Sequence, residues 1–522
     1  MDNTSLLQNN LAGLVWQGAP ASIAYDAREI EGRLRALTQP CYAVRNGRGV
    51  GVASQGDLRP AGAEGLEVLA LALPLPAQRL GDPAFRAAYG LDYAYVGGSM
   101  ANAIASEAMV IALGQAKMLG CFGAGGVGPQ RLEEAIRLIQ AELPHGPYAF
   151  NLIHAPAEPA LERGAVELYL KHGVTTVEAS AYLSLTPYVV RYRAAGLTAD
   201  AAGKTVIGNK ILAKVSRREV AAQFMQPASA NILRDLVAEG LITQQQAALA
   251  QIVPMADDVT VEADSGGHTD NRPLVCLLPS MIALRDELQA KHRFATPVRV
   301  GAAGGIGTPQ AALAAFMMGA AYVLTGSINH ACVEAGTSDH VKALLAQAGM
   351  ADVTMAPSAD MFEMGVNLQV LKRGTLFPMR AKKLYQLYQT YDSIEAIPAD
   401  ERQKLEQQVF QRSLDDVWAD CIAFFNQRDP EQIARAKDNP KRKMALVFRW
   451  YLGLATRWGI THQKGREMDY QIWCGPAMGA FNDWARGTDL EQPQNRRVAE
   501  VGRRLLEEAA YLYRKQALAL AV

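Results

Sequence analysis

Two small-residue turns, Gly304-Gly305 in VGAAGGIGTPQ and Gly326-Ser327 in YVLTGSINH, each lie between a strand-like run and a helix start. Bare backbone N–H groups and the positive end of a helix dipole attract phosphate there, and a Cβ would block the approach. Such turns also serve plain packing, as does the glycine run GAGGVG at 123–128. The dinucleotide fingerprint fails, because neither stretch opens a leading βαβ unit with an acidic residue about 20 positions on. Lys210 and Lys214 in KILAKV share one strand face, with Lys214 at the C-terminal end. An enclosed lysine needs a partner. A reduced flavin, which carries negative charge near N1, is one; Glu178 and Glu262, ending two other strand-like runs, are the alternative. Asn151 has both donor and acceptor for a flavin's pyrimidine edge, or else caps the next helix. His268 follows Gly266 and Gly267 directly, with no apolar pattern to bury it, and its pKa suits proton transfer near neutrality. It is the first candidate for a catalytic acid or substrate orienter. His154 and His330 are lesser candidates, while Cys121 and Cys332 have no base or cation beside them in sequence and read as packing.

These residues form one ring only if parallel strands gather them. Short runs rich in Val, Ile and Ala occur at 93–98, 118–123, 148–153, 175–180, 210–215, 258–263, 298–305 and 322–327, with amphipathic segments between most of them. Eight βα units in about 240 residues have the size of a TIM barrel, whose active site lies at the C-terminal strand ends; an open doubly wound sheet is the alternative. The pattern predicts an α/β chain: a small α+β lead-in over 1–85, a (β/α)₈ barrel over 86–390, and a separate C-terminal helical domain over 391–522. A helical insertion after the fifth strand, 228–254, is expected as a cap over the catalytic face. The barrel ring would then comprise Gly97, Gly98, Ser99 and Met100 after strand one, Asn151, Glu178, Lys214, Glu262 with Ser265 to His268, and the two small-residue turns.

With 52 basic and 52 acidic side chains, bulk charge gives no argument for nucleic acid or an anionic membrane. No apolar run reaches the roughly 18 residues of a membrane helix. The leading MDNTSLLQNNLAGLVWQG has no basic segment followed by an apolar core, so a cytoplasmic protein is expected. The six scattered cysteines form no CxxC pair and no cluster of metal-ligand spacing, so neither a disulfide framework nor a metal is expected.

The segments YVGGSMANAIASE, FNLIHAP, EADSGGHTDNRP, GAAGGIGTPQAALAAFMMGAAYVLTGSINHACVEAGTS and DYQIWCGPAMGAFNDW together resemble the trans-acting enoyl reductases of bacterial polyketide and polyunsaturated-fatty-acid synthases. Those proteins are similar in turn to nitronate monooxygenases and to the flavin-type enoyl-acyl-carrier-protein reductase. The resemblance runs from about Cys41 to the C-terminus. It implies an FMN-binding barrel, NADPH as reductant, an α,β-unsaturated acyl thioester on an acyl carrier protein as substrate, and a homodimer. By position, Gly97 to Met100 and Asn151 resemble flavin-ring contacts, Gly304, Gly305, Gly326 and Ser327 phosphate contacts, and His268 the histidine beside the flavin. Where the monooxygenases read G-T-R-F, this chain has Thr325-Gly326-Ser327-Ile328, which leaves the phosphate to the Ser327 hydroxyl and backbone. A carrier-protein substrate also predicts a basic rim, with Lys441-Arg442-Lys443 and Arg496-Arg497 as candidates. A nitronate-oxidising enzyme and a non-catalytic synthase scaffold are the rival readings.

Overall fold

The computed structural model describes residues 11, 13–156 and 158–520; residues 1–10, where the segment read for an export signal begins, lie outside the described residues. The eight apolar runs form β1 (Tyr95–Gly97), β2 (Leu119–Phe122), β3 (Ala149–Ile153), β4 (Thr176–Ser180), β5 (Lys210–Val215), β6 (Asp258–Glu262), β7 (Arg299–Ala303) and β8 (Val323–Thr325). They close into a barrel, with β8 pairing parallel to β1 at Val323 and Tyr95. Closure rules out the open sheet. Alternation along each strand explains why the runs are apolar throughout. Phe150, Leu152, Val177, Ala179, Val259 and Val261 join the core beneath the surrounding helices, while Val96, Leu119, Cys121, Ala149, Leu212 and Ala303 fill the barrel interior. Both faces are therefore buried, as parallel sheets require.

The N-terminal mouth is sealed by Phe85 and Tyr89, with Phe85 stacked on Tyr322 at 4.1 Å. Below them Arg299 grips Asp258 through two bonds of 2.7 Å, and the Tyr89 hydroxyl donates to the same carboxylate at 2.5 Å. Burial pushes the Asp258 pKa up to about 6 against the pull of Arg299. Lys210 ends on the Ala88 carbonyl in this layer, so it belongs to the sealed end and not to the catalytic one.

The lead-in contributes a five-stranded antiparallel sheet spanning Leu14 to Ala72. After β5 come Ala230–Ala238 and Gln244–Ala250, the expected helical insertion, but on another side of the barrel. Gln246 donates to the Ala195 carbonyl, and Met255 returns to Gln226 just before β6 begins, so both ends of the insertion lie at the N-terminal rim. Leu233, Leu236 and Ala247 bury the insertion's apolar stripe in the core beneath the surrounding helices, away from the catalytic mouth.

Past β8 the chain forms an antiparallel hairpin, β9 (Val353–Pro357) and β10 (Asn367–Leu371), and then α1 (Phe377–Thr390), α2 (Leu414–Arg428) and α3 (Pro440–Thr461). These build a second core around Phe362, Phe377, Phe448 and Tyr451. The segment expected as one helical domain over 391–522 does not pack as one body. Helix α4 (Ala477–Ala485) and helix α5 (Val498–Ala519) return to the barrel, where Val501, Leu505, Leu506 and Ala509 are fully buried in its outer core. Helix α5 lies against the helices following β7 and β1, with Gly502 on the Tyr95 ring, and so takes the ring position due after β8. Leu505→Ala should therefore destabilise the barrel itself, by about 2–5 kcal/mol, measured as a lower urea midpoint of the whole protein; a loss confined to α5 fraying would contradict this placement. Among the described residues no helix is long and apolar enough to cross a membrane.

Candidate active site

The C-terminal strand ends bring three charged side chains into the barrel mouth. Lys214 Nζ lies 3.7 Å from Glu178 Oε2 and 3.6 Å from Glu262 Oε1. Burial works against the ammonium, but the two carboxylates outweigh it and hold its pKa above the ordinary lysine value. The Glu262 pKa is raised, because burial exceeds the relief that Lys214 gives. The backbone N–H and hydroxyl of Ser99 both donate to Glu178 Oε2, while Glu178 Oε1 is buried with no partner among the described residues. The GGSM turn is thus tied to the charged cluster, a link that sequence spacing does not announce.

Asn151 donates from Nδ2 to the Glu178 carbonyl at 3.0 Å and to Ser180 Oγ at 2.8 Å. A carbonyl only accepts, so the amide orientation is fixed and Oδ1 alone is left for a ligand. Backbone strain marks the same end of the barrel: Asn102, Ala103 and Ala181 have φ of 58°, 56° and 62° in the loops after β1 and β4.

On the β7 and β8 side, Gly304 and Gly305 have φ of +82° and +73°. A Cβ on Gly304 would lie 2.6 Å from the Ala263 backbone, whereas at Gly305 and Gly326 it would meet nothing within 4 Å. Those two residues therefore present bare backbone to open space. Ser327 Oγ accepts from the Gly475 N–H at 2.9 Å, and its own proton is left to donate. Gly97 and Gly98 are tightly packed: a Cβ would strike the tip of the Leu113 side chain at 2.3 Å or that of Leu324 at 2.5 Å, so either leucine would have to shift. Gly266 is required by the backbone of Cys474, 2.9 Å from where its Cβ would be. Met100 packs its carbonyl against Gly123.

His268 occupies a two-residue strand with Gly267, paired antiparallel to Leu368 and Gln369 of β10. Its Nε2 lies 3.2 Å from Asp360 Oδ1, in the β9–β10 turn. Burial pulls the imidazole pKa down, but Asp360 and Glu262 more than offset this and hold it above the usual histidine value. Asp360 is kept well below the usual carboxylate range: partial burial opposes ionisation, and the His268 charge and the Ser358 hydroxyl prevail. The lesser candidates stand apart from this arrangement. His154 pairs with buried Glu162 and stacks on Tyr182. His330 donates from Nδ1 to the Trp473 carbonyl, and burial pushes its pKa down to about 4. Burial raises the thiol pKa of Cys121 and Cys332, which leaves neither as a nucleophile. Among the described residues no cluster of His, Cys, Asp or Glu could hold a metal.

A family model for nitronate monooxygenase matches residues 90–407, more than half of the chain. The solved enoyl reductase domain of MlnA, from the macrolactin biosynthesis cluster of Bacillus amyloliquefaciens, superposes with a TM-score of 0.81 at 41% identity, covering 84% of this chain and 99% of that one. The chain belongs to the PfaD-like enoyl reductases of the nitronate monooxygenase family. Residues 16–74 of this PfaD-like chain match the N-terminal domain of the fatty acid synthase subunit PfaD, and 391–470 match the inserted helical domain of [acyl-carrier-protein] S-malonyltransferase. A polyunsaturated fatty acid synthase subunit from Thraustochytrium sp. is 52% identical over 84% of this chain, and the polyketide biosynthesis protein PksE of Bacillus subtilis 47% identical over 84%. The chain spans 30% and 57% of those two relatives' lengths.

Proposed function

We propose that this chain is an FMN-dependent, NADPH-consuming enoyl reductase, acting in the cytoplasm on α,β-unsaturated thioesters held by an acyl carrier protein during polyketide or polyunsaturated-fatty-acid synthesis. The observation that carries the reading is the open backbone at Gly305 and Gly326, after β7 and β8, in the same closed barrel whose β3, β4 and β5 carry Asn151, Glu178 and Lys214 and whose β6 leads to His268. These residues fit FMN. Gly305, Gly326 and the Ser327 hydroxyl would hold its phosphate, Asn151 Oδ1 would accept from its pyrimidine edge, and the unpartnered Glu178 Oε1 is a buried acceptor that a polar ring edge would complete. When bound, FMN supplies hydride-transfer chemistry between NADPH and the thioester. Lys214, charged at neutrality, places a cation in the mouth, and His268 supplies the proton for the α-carbon.

Four of the five basic residues expected to form a rim for the carrier protein are engaged within the fold, while Arg497 is exposed. Lys441 donates to the carbonyls of Tyr388 and Tyr391 at the end of α1, Arg442 to Gln432, and Lys443 pairs with Glu395 at 3.1 Å. Arg496 is buried on the Leu490 carbonyl. All four are committed within the fold, although such positions are prone to look free in sequence.

Protein purified without added cofactor should be yellow, bleach with NADPH in the absence of oxygen, and recover its colour on addition of a crotonyl thioester, faster when carrier-bound. A colourless protein, or one whose colour oxygen restores but no enoyl thioester does, would overturn the reading. Gly305→Asp places a carboxylate where the phosphate is held, and like-charge contact costs several kcal/mol; flavin affinity should fall on the order of 100-fold or more, read by fluorescence titration. Undiminished affinity would move the phosphate away from β7.

A further inference from the structure

We infer that Asp360 is the positioning residue for His268, holding the imidazole as a charged acid with Nε2–H on the carboxylate and Nδ1–H turned toward the substrate; this rests on the enoyl reductase reading. The pair joins two separate parts of the chain. His268 follows β6, while Asp360 lies in the β9–β10 turn that leads into the helical domain. Among the described residues nothing in the barrel itself supplies an acceptor for Nε2: the other charged groups facing the ring are Glu262 at the end of β6 and Lys214 at the end of β5, and they act through space rather than by a hydrogen bond.

Asp360 is itself held at both ends of its turn. Ser358 Oγ donates to Asp360 Oδ1 at 2.5 Å, and the same Oγ accepts from the Met361 N–H at 3.2 Å. Two residues on, Phe362 is fully buried in the second core, against Tyr385, Tyr388 and Phe448 with centroids 5.1–6.4 Å away. A carboxylate that only had to be solvated would need no such anchor. The His268 and Asp360 side chains are 35% and 50% exposed, so the pair adds little to folding while remaining reachable by a ligand in the mouth. Its value is in direction and charge. In the reaction, the Nδ1–H bond breaks as a C–H bond forms at the α-carbon, the hydride equivalent having come to the β-carbon from NADPH. The ring is left neutral with Nε2–H still on Asp360, and water restores the Nδ1 proton.

The test uses the flavin-loaded full chain with isotope-labelled histidine, His268 being assigned by its absence in His268→Gln. Asp360→Asn keeps an acceptor but removes the charge. The His268 titration midpoint should move down in pH, kcat should fall about 10- to 100-fold, part of the roughly 10²–10⁴ that a general acid supplies, KM should stay in place, and the alkaline limb of the kcat profile should move down with the midpoint. Asp360→Glu should restore the midpoint and part of kcat. A His268 titration unmoved in Asp360→Asn would overturn the inference, whatever the activity. A moved titration in a protein that reduces no enoyl thioester would instead sink the function proposed above and leave the pairing standing.

Discussion

His268→Ala should lower turnover of a carrier-bound enoyl thioester by about 10²–10⁴-fold, the usual contribution of a positioned general acid, with flavin colour and thermal midpoint retained. The retained fold follows from how the residue is held. Its backbone pairs with Leu368, and its partly exposed side chain touches Asp360 rather than any core. Removing the ring therefore opens no cavity of consequence. The pH dependence has a definite sign. The proton donor must be charged, and burial, which opposes that charge, is outweighed by Asp360 and Glu262. Activity should persist above the pH at which an ordinary histidine loses its proton, and fall as pH rises through the raised value. In His268→Ala that alkaline limb should vanish along with most of the rate, while reduction of the flavin by NADPH, which needs no proton from the ring, should continue at the wild-type rate in stopped flow. Unchanged turnover would remove His268 from the chemistry; loss of both half-reactions together would assign it to cofactor binding.

The contrast between His268 and its partner shows what a sequence exposes. The eight strands were legible because parallel strands bury both faces, so each reads as a short apolar run, and the ring residues were legible because each such run ends in one polar side chain or glycine. Glu178, Lys214 and Glu262 meet because their strands are neighbours in the barrel. Asp360 offers no such signal. It lies 92 residues from His268 in an irregular turn, and only the antiparallel pairing of Gly267–His268 with β10 brings it into reach. The polar Ser358 and Asp360 within an otherwise irregular stretch are the one trace it leaves in the sequence. Helix α5 falls within the stretch read only as a C-terminal helical domain, and amphipathic periodicity says that one face is buried, not that the face belongs to a barrel begun some 400 residues earlier. The insertion after β5 is present where the sequence pattern puts it, but a hydrophobic stripe does not say on which side of the barrel it is buried. With Gly97 and Gly98 two demands coincide: close packing on Leu113 and Leu324 favours glycine without a ligand, so their place near a flavin rests on the ring they share with Ser99.

Lys214→Met should cost about 3–5 kcal/mol of folding stability at pH 8, the penalty for leaving buried charge without its partner. The substitution keeps the length and apolar stem of the side chain, so little cavity forms and the loss is electrostatic. In the wild type the lysine pKa is raised above its ordinary 10.5, which means its stabilisation is complete below that pH and is lost only as pH rises through the still higher folded value. No change in this contribution is therefore expected between pH 5 and 9. In the variant the balance shifts to the acids. Glu178 is fully buried, and Glu262 already has its pKa raised by burial, with Lys214 the main opposing influence. Without the ammonium, the Glu262 pKa, already raised by burial, should rise further, and its protonation relieves the repulsion with Glu178. The stability deficit should accordingly shrink as pH falls from 8 toward 5, measured by urea denaturation of both proteins across that range. A deficit that stays constant with pH would mean that Lys214 is held by packing and that the two glutamates do not depend on it, which would also remove the physical basis for a lysine cation facing the flavin.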